Sequence, residues 1–155
     1  MKLAIIIPAY NEEKRIGKTL ESYSEYFEKL RKKDRVDYSI LVVINATTDK
    51  TEEVVLKHRR KNNRITFLNL KKGGKGYAIV EGFKDSLKKN YEIIGFVDAD
   101  MATSPEDFYI LYKRLNGYDG IIGSRWMKES IILQSQPILR RTASRIFNFI
   151  VKALF

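Results

Sequence analysis

Ile93–Thr103, IIGFVDADMAT, decides how the rest of the chain is read. Ile93, Ile94, Phe96 and Val97 form a short apolar run bounded by polar residues, the pattern of a buried strand. The run delivers two carboxylates, Asp98 and Asp100, at its C-terminal end. Side chains alternate faces along a strand, so residues two apart point the same way and can face one ion. Two carboxylates held that close repel unless a divalent cation or a shared proton relieves them. Mg²⁺ is often held by one or two carboxylates together with substrate phosphates and water. A second reading stands beside this one: a strand ending in two solvated Asp residues that cap the next helix. An isolated D-x-D does not separate the two, so its surroundings must.

Working outward, β-type runs alternate with helical periods. Lys2–Ile7 is a strand-like run closed by Pro8, and Tyr38–Ile44 and Ile65–Leu70 read as two more strands. Glu12–Lys32 carries apolar residues at Ile16, Leu20, Tyr23, Phe27 and Leu30, a helical period with Asn11 placed as its N-cap. Lys50–Arg60 reads as a short helix, and Gly73–Gly76 opens a third. Ser104, Pro105 and Glu106 start a fourth, since Ser caps well and Pro suits the first turn. Asp119–Gly123 reads as a fifth strand, and Pro137 begins a final helix. This alternation predicts an α/β layered fold with a mainly parallel sheet, in which Ile93–Thr103 supplies the central strand. Ligands in such folds bind beyond the carboxyl ends of the strands. The unusual polar residues fall there: Pro8–Glu13, Asn45–Asp49, Gly73–Gly76, Asp98–Asp100 and Gly123–Arg125.

Composition narrows the partners. The length of 155 residues suits one domain, and 44% hydrophobic with 31% charged residues is globular rather than disordered. There is no cysteine, which removes disulfides and thiolate metal sites and makes a reducing compartment the default. The N-terminal apolar run is too short for a signal peptide, and no stretch reaches a membrane span. A net charge of +10 implies an anionic partner: nucleic acid, a membrane surface or a phosphorylated substrate. From Ile121 onward, Arg125, Lys128, Arg140, Arg141, Arg145 and Lys152 face the single acid Glu129, so the excess is concentrated at the C-terminus.

Six pieces in order then carry a resemblance: IIIPAYNEEKRI, VVINATTDKTEEVV, KKGGKGYAIVEGF, FVDADMATSPEDF, IIGSRW and the basic RRTASRIFNFIVKALF. Together they resemble a family 2 nucleotide-sugar glycosyltransferase of the GT-A fold, a Rossmann-like layered fold. They are most similar to the branch that transfers a sugar to dolichyl or polyprenyl phosphate, either β-glucosyltransferase or mannose synthase in type. The resemblance implies a catalytic domain over residues 1–155 that lacks its C-terminal part, with residues 137–155 forming a basic amphipathic helix. It implies inverting hexosyl transfer from a nucleoside diphosphate sugar, with Mg²⁺ or Mn²⁺ as cofactor. The lipid phosphate acceptor places such a chain at the cytoplasmic face of the membrane, as a peripheral protein. Nucleic acid is not an expected partner, because the cations are not interleaved with aromatics in an RNA-binding pattern.

Residue roles follow from the same resemblance. Pro8, Tyr10 and Glu12 would contact the nucleotide, at a strand-to-helix turn that otherwise reads as a plain connection. Where the family usually has two Asp before Gly-Ser, this chain has Ile44, Asn45, Ala46 and Thr47. Asn45 offers one acceptor and two donors where Asp offers only acceptors, which suits uracil better than guanine and leans towards a UDP-sugar. Asp49 either matches a later family Asp or caps the next helix. Lys75, in a glycine-rich turn without Walker A spacing, would meet the pyrophosphate. Asp98 would contact the donor as well as the metal, and Asp100 would hold the metal. Arg125, also catalytic, would hold the acceptor phosphate with Arg140 and Ser144, its planar fork suiting phosphate oxygens. Ala102 stands where some relatives have a polar residue near the metal. His58, the only histidine, reads as surface or packing. Three rivals remain: a family 2 enzyme with a glycan hydroxyl acceptor and a base beyond Phe155, a nucleotidyltransferase, or a non-catalytic basic membrane- or nucleic-acid-binding module.

Overall fold

Four strands form one parallel sheet in a computed structural model that describes residues 1–33, 35–124 and 138–154. In chain order these are β1 (Lys2–Ala9), β2 (Asp37–Asn45), β3 (Ile65–Leu70) and β4 (Ile93–Phe96), arranged β3-β2-β1-β4. The helices between them are α1 (Ile16–Arg31), α2 (Thr51–Lys61) and α3 (Lys75–Lys88), with α4 (Pro105–Arg114) after β4. The chain divides into two compact units, Met1–Asn116 and Gly117–Phe155, and the whole sheet lies in the first.

Alternation along the strands sorts the core into two layers. Leu3, Ile5 and Ile7 of β1 meet Ile16, Leu20, Tyr23 and Phe27 of α1, Val55 of α2 and Phe108 of α4. Ile6, Leu41 and Val43 face the other way, onto Ala78 of α3. Gly82 lets α3 approach closely, since a Cβ there would stand 2.8 Å from Ile6 Cγ2. Both strand faces are therefore apolar, as in parallel sheets covered on both sides.

Three expectations need correction. The strand bearing the carboxylates is not central: β4 pairs only with β1 among the described residues, and Phe96 is 47% exposed. A continuous apolar run marks a strand but carries no information about its neighbours. Asp119–Gly123 is not a strand; its residues form no ladder, and Ile122 is 86% exposed. β1 also runs past Pro8 to Ala9. The Ile6 carbonyl accepts from the Val97 N–H (3.0 Å), so it faces β4. By alternation Pro8 faces the same side, beyond the last β4 pair at Ile6 and Phe96, where no N–H is needed.

The second unit carries α5 (Ile138–Leu154). Ile146, Phe147, Phe149, Ile150 and Leu154 on it are exposed. No helix among the described residues is long and apolar enough to cross a membrane.

Candidate active site

Four loops leave the carboxyl ends of β1 to β4, and side chains interlock them. Among the described residues the first two are joined by six hydrogen bonds, four of which involve a backbone N–H of Asn11, Glu12, Glu13 or Thr48. Asn11 N–H donates to Thr47 Oγ1 (3.3 Å), and Asn11 Oδ1 accepts from Thr48 N–H (2.9 Å). Glu12 N–H donates to Thr51 Oγ1 (2.8 Å), and Glu13 N–H donates to Asp49 Oδ2 (3.0 Å). Asn11 is thus no helix cap: it sits at φ 52° while α1 starts only at Ile16, because its amide is spent on the neighbouring loop. Asp49 also accepts from the Thr51 N–H (2.9 Å), the helix-capping alternative, and serves Glu13 besides. Partial burial pushes the Asp49 carboxyl up, but the Thr51 hydroxyl and the Glu13 and Thr51 amides outweigh it and hold it below the usual range.

The third loop reaches the carboxylates. Gly74 caps α3 at φ 126°, a backbone that favours glycine, and Lys75 follows as the first helical residue. Lys75 Nζ lies 2.6 Å from Asp98 Oδ1. Asp98 and Asp100 do not sit on a strand. Val97 makes the last backbone bond to β1, then the chain turns at Ala99 and Asp100, with Met101 at φ 62°. Strand alternation therefore does not set their directions. Asp100 is exposed, and its Oδ1 accepts from the Ala102 N–H (3.0 Å).

Two residues on α1 fix that turn from beneath, and neither was singled out from the sequence for it. Thr19, fully buried, donates its hydroxyl to the Ala99 carbonyl (2.7 Å). Tyr23, one helical turn on, donates to the Thr103 carbonyl (2.9 Å). Burial first, and the nearby Asp107 and Glu106 carboxylates second, push the Tyr23 phenol well up, so it remains a donor. The available signal was a threonine within the apolar stripe of an amphipathic helix, since a buried hydroxyl requires a partner.

The other expected site residues divide. Tyr10 is 56% exposed at the end of β1. Pro8 is buried within β1. The Glu12 carboxylate takes the Arg15 fork at 2.7 and 2.8 Å. Asn45 is buried, 3% exposed; with its amide oriented so that each atom meets a complementary partner, the nitrogen donates to the Ala9 carbonyl (2.7 Å) and the oxygen accepts from the Gly74 N–H (3.2 Å). Arg125 lies outside the described residues, and Arg140 and Ser144 fall on α5. A groove of about 590 Å³ lies elsewhere, lined by Glu25, Glu28, His58, Arg60 and Arg64 among others. His58 is half-buried, and its pKa is lowered by that burial and by Lys61.

A divalent cation fits the donor chemistry at Asp98 and Asp100. Both present hard oxygens, and Asp100 keeps one oxygen clear of the Ala102 bond. No cluster of three or more His, Cys, Asp or Glu occurs among the described residues, so substrate oxygens and water must complete any shell.

Comparison with known proteins shows the family and the fold. The family described as Glycosyl transferase family 2 matches residues 4–153. The chain is 36% identical over 135 residues to dolichyl-phosphate beta-glucosyltransferase ALG5A of Trichomonas vaginalis, covering 82% of this chain and 41% of that one. It is 35% identical to human dolichyl-phosphate beta-glucosyltransferase, covering 74% and 36% respectively. It is 28% identical to undecaprenyl-phosphate 4-deoxy-4-formamido-L-arabinose transferase of Photorhabdus laumondii, over 97% of this chain and 43% of that one. The chain thus spans less than half the length of these relatives. Its fold matches mannosyltransferase PcManGT of Pyrobaculum calidifontis, solved with GDP-Man and Mn²⁺, at a TM-score of 0.57 and 24% identity over 74% of this chain and 32% of that one.

Proposed function

The chain belongs to glycosyl transferase family 2, and on that premise we propose that it moves a hexose, with inversion, from a nucleoside diphosphate sugar to a polyprenyl or dolichyl phosphate at a membrane surface. The observation that carries the reading is the meeting of Lys75 with Asp98, beside Asp100, at the carboxyl edge of a parallel sheet. In this reading Lys75 exchanges its carboxylate partner for a diphosphate, and Tyr10, whose ring is exposed, stacks on a base. Pro8, near the end of β1, and Glu12, whose N–H is held by Thr51, shape the same nucleotide-facing turn. A divalent cation held by Asp100 and Asp98 supplies positive charge to the departing diphosphate. On the acceptor side, Arg125, Arg140 and Ser144 bind the lipid phosphate. A phosphate monoester, with a second pKa of about 6, is largely anionic at neutral pH and attacks without a dedicated base. The exposed apolar side chains of α5, flanked in sequence by Arg140, Arg141, Arg145 and Lys152, support interfacial docking.

Asn45, buried at the end of β2, acts in this reading by positioning the glycine loop. A glucosyl donor is favoured because relatives at 35–36% identity are named dolichyl-phosphate beta-glucosyltransferases. The assay offers labelled UDP-glucose and GDP-mannose, each with dolichyl phosphate or phosphate-free dolichol, with label counted in the lipid extract. Manganese-dependent transfer from UDP-glucose to the phosphate alone, lost in Asp98→Asn and Asp100→Asn, supports the proposal. Transfer unaffected by chelator, or surviving both substitutions, overturns it.

A further inference from the structure

We propose that Asn45 is a positioning residue that clamps the glycine loop so that Lys75 is delivered to Asp98; its consequence for ligand binding rests on the donor-site reading above. Asn45 is the last residue of β2, pairs in register with Leu70 and is buried. Its single amide joins three elements. In the amide orientation that satisfies both neighbours, the nitrogen donates to the Ala9 carbonyl at the end of β1, and the oxygen accepts from the Gly74 N–H at the start of α3. A side chain at this position needs a donor and an acceptor together. Asp carries two acceptors and would set an oxygen against the Ala9 carbonyl, whereas Ala carries neither.

The next residue completes the clamp. Ala46, at φ 51°, donates its N–H to the Leu70 carbonyl (2.8 Å). Leu70 and Gly74 bracket Lys71–Gly73, so both ends of that loop are bonded to Asn45 and Ala46. Gly74 itself is exposed, but Asn45 is buried, so leaving the Asn45 amide oxygen without the Gly74 N–H is costly and the loop is held at that end. Lys75, directly after Gly74, inherits that position and meets Asp98 at 2.6 Å. Asn45 acts on Lys75 and Asp98 through the Gly74 amide.

The test has two arms. In the wild-type protein, NMR amide exchange should find Gly74 N–H protected, though it sits in a turn rather than inside a helix or strand. Fast exchange at Gly74 overturns the clamp without any variant being made, and without reference to nucleotide. In Asn45→Ala and Asn45→Asp, Gly74 should exchange faster while the amides of β1 and β2 stay protected; unchanged Gly74 protection overturns the proposal. Manganese-dependent UDP binding supplies the second arm. Asn45→Asp should weaken it about tenfold, the loss expected for one buried hydrogen bond. In a Lys75→Ala background the same substitution should have little further effect, because Asn45 acts through Lys75. Additive losses overturn that route. If the wild-type chain binds no nucleotide, the donor-site reading fails, and Gly74 exchange still decides the clamp.

Discussion

Thr19→Val tests whether α1 holds the acidic turn. The hydroxyl is fully buried and donates to the Ala99 carbonyl at 2.7 Å; a longer contact to the Arg15 carbonyl, 3.4 Å, is secondary. Valine keeps the branched shape and removes the donor, leaving the Ala99 carbonyl without it in a site where Ala99 itself is 4% exposed. An unmade buried bond costs about 1–3 kcal/mol, partly offset by the extra methyl, for a net loss of about 1–2 kcal/mol. With a urea slope of about 2 kcal/mol per M, the unfolding midpoint should fall by about 0.5–1 M. Ala99 lies between the two carboxylates, so the release should also weaken Mn²⁺ binding in the presence of UDP, several-fold. Urea unfolding by circular dichroism reads the first effect, and electron paramagnetic resonance of free Mn²⁺ the second. Tyr23→Phe, which removes the bond to Thr103, should act in the same direction. Wild-type values for both quantities in Thr19→Val would refute the idea that this hydroxyl positions the turn.

Three further outcomes follow from single contacts. Gly95→Ala would put a Cβ 2.7 Å from Phe108 Cζ, an overpacking that should cost about 2 kcal/mol and lower Tm by about 6 °C in calorimetry. Ala46→Gly, at φ 51°, relieves left-handed strain that roughly offsets the lost backbone entropy. Its urea midpoint should stay near wild type, whereas Ala78→Gly inside α3 should lose about 1 kcal/mol; equal losses would contradict the strain argument. Burial, then Lys61, holds the His58 pKa below its usual 6.5, so the unfolded chain binds more protons below that pH. Stability from this group is therefore present above about pH 6.5 and lost as pH falls towards the depressed value. The fall in urea midpoint between pH 7.5 and pH 5 should be smaller in His58→Gln, and an unchanged fall would rule the effect out.

Local pattern carried much of this in the sequence. Ile65–Leu70 is read with both ends correct because six alternately packed residues lie between clear polar boundaries. The four loops were legible because apolar runs stop abruptly at polar clusters. Strand order was not, since Ile93–Phe96 reads alike in the middle or at an edge. Asn11 shows how a local rule loses to a tertiary one: its side chain can cap a helix, but Thr47 and Thr48 offer partners that only the folded chain brings near. Asn45 is similar. Its amide reads as a ligand for a base until β1 and the glycine loop supply both of its partners. Thr19 and Tyr23 were hidden because α1 was read for its apolar stripe alone, while their partner carbonyls lie 80 residues away in the chain.

Donor binding at Asp98 and Asp100 is tested most directly by calorimetric titration of UDP and UDP-glucose, with GDP beside them, each with and without Mn²⁺. Saturable binding of UDP and UDP-glucose that requires Mn²⁺ and is abolished in Asp100→Ala is the predicted result. Nucleotide binding indifferent to metal and to Asp100→Ala, or no binding of any nucleotide, would contradict it.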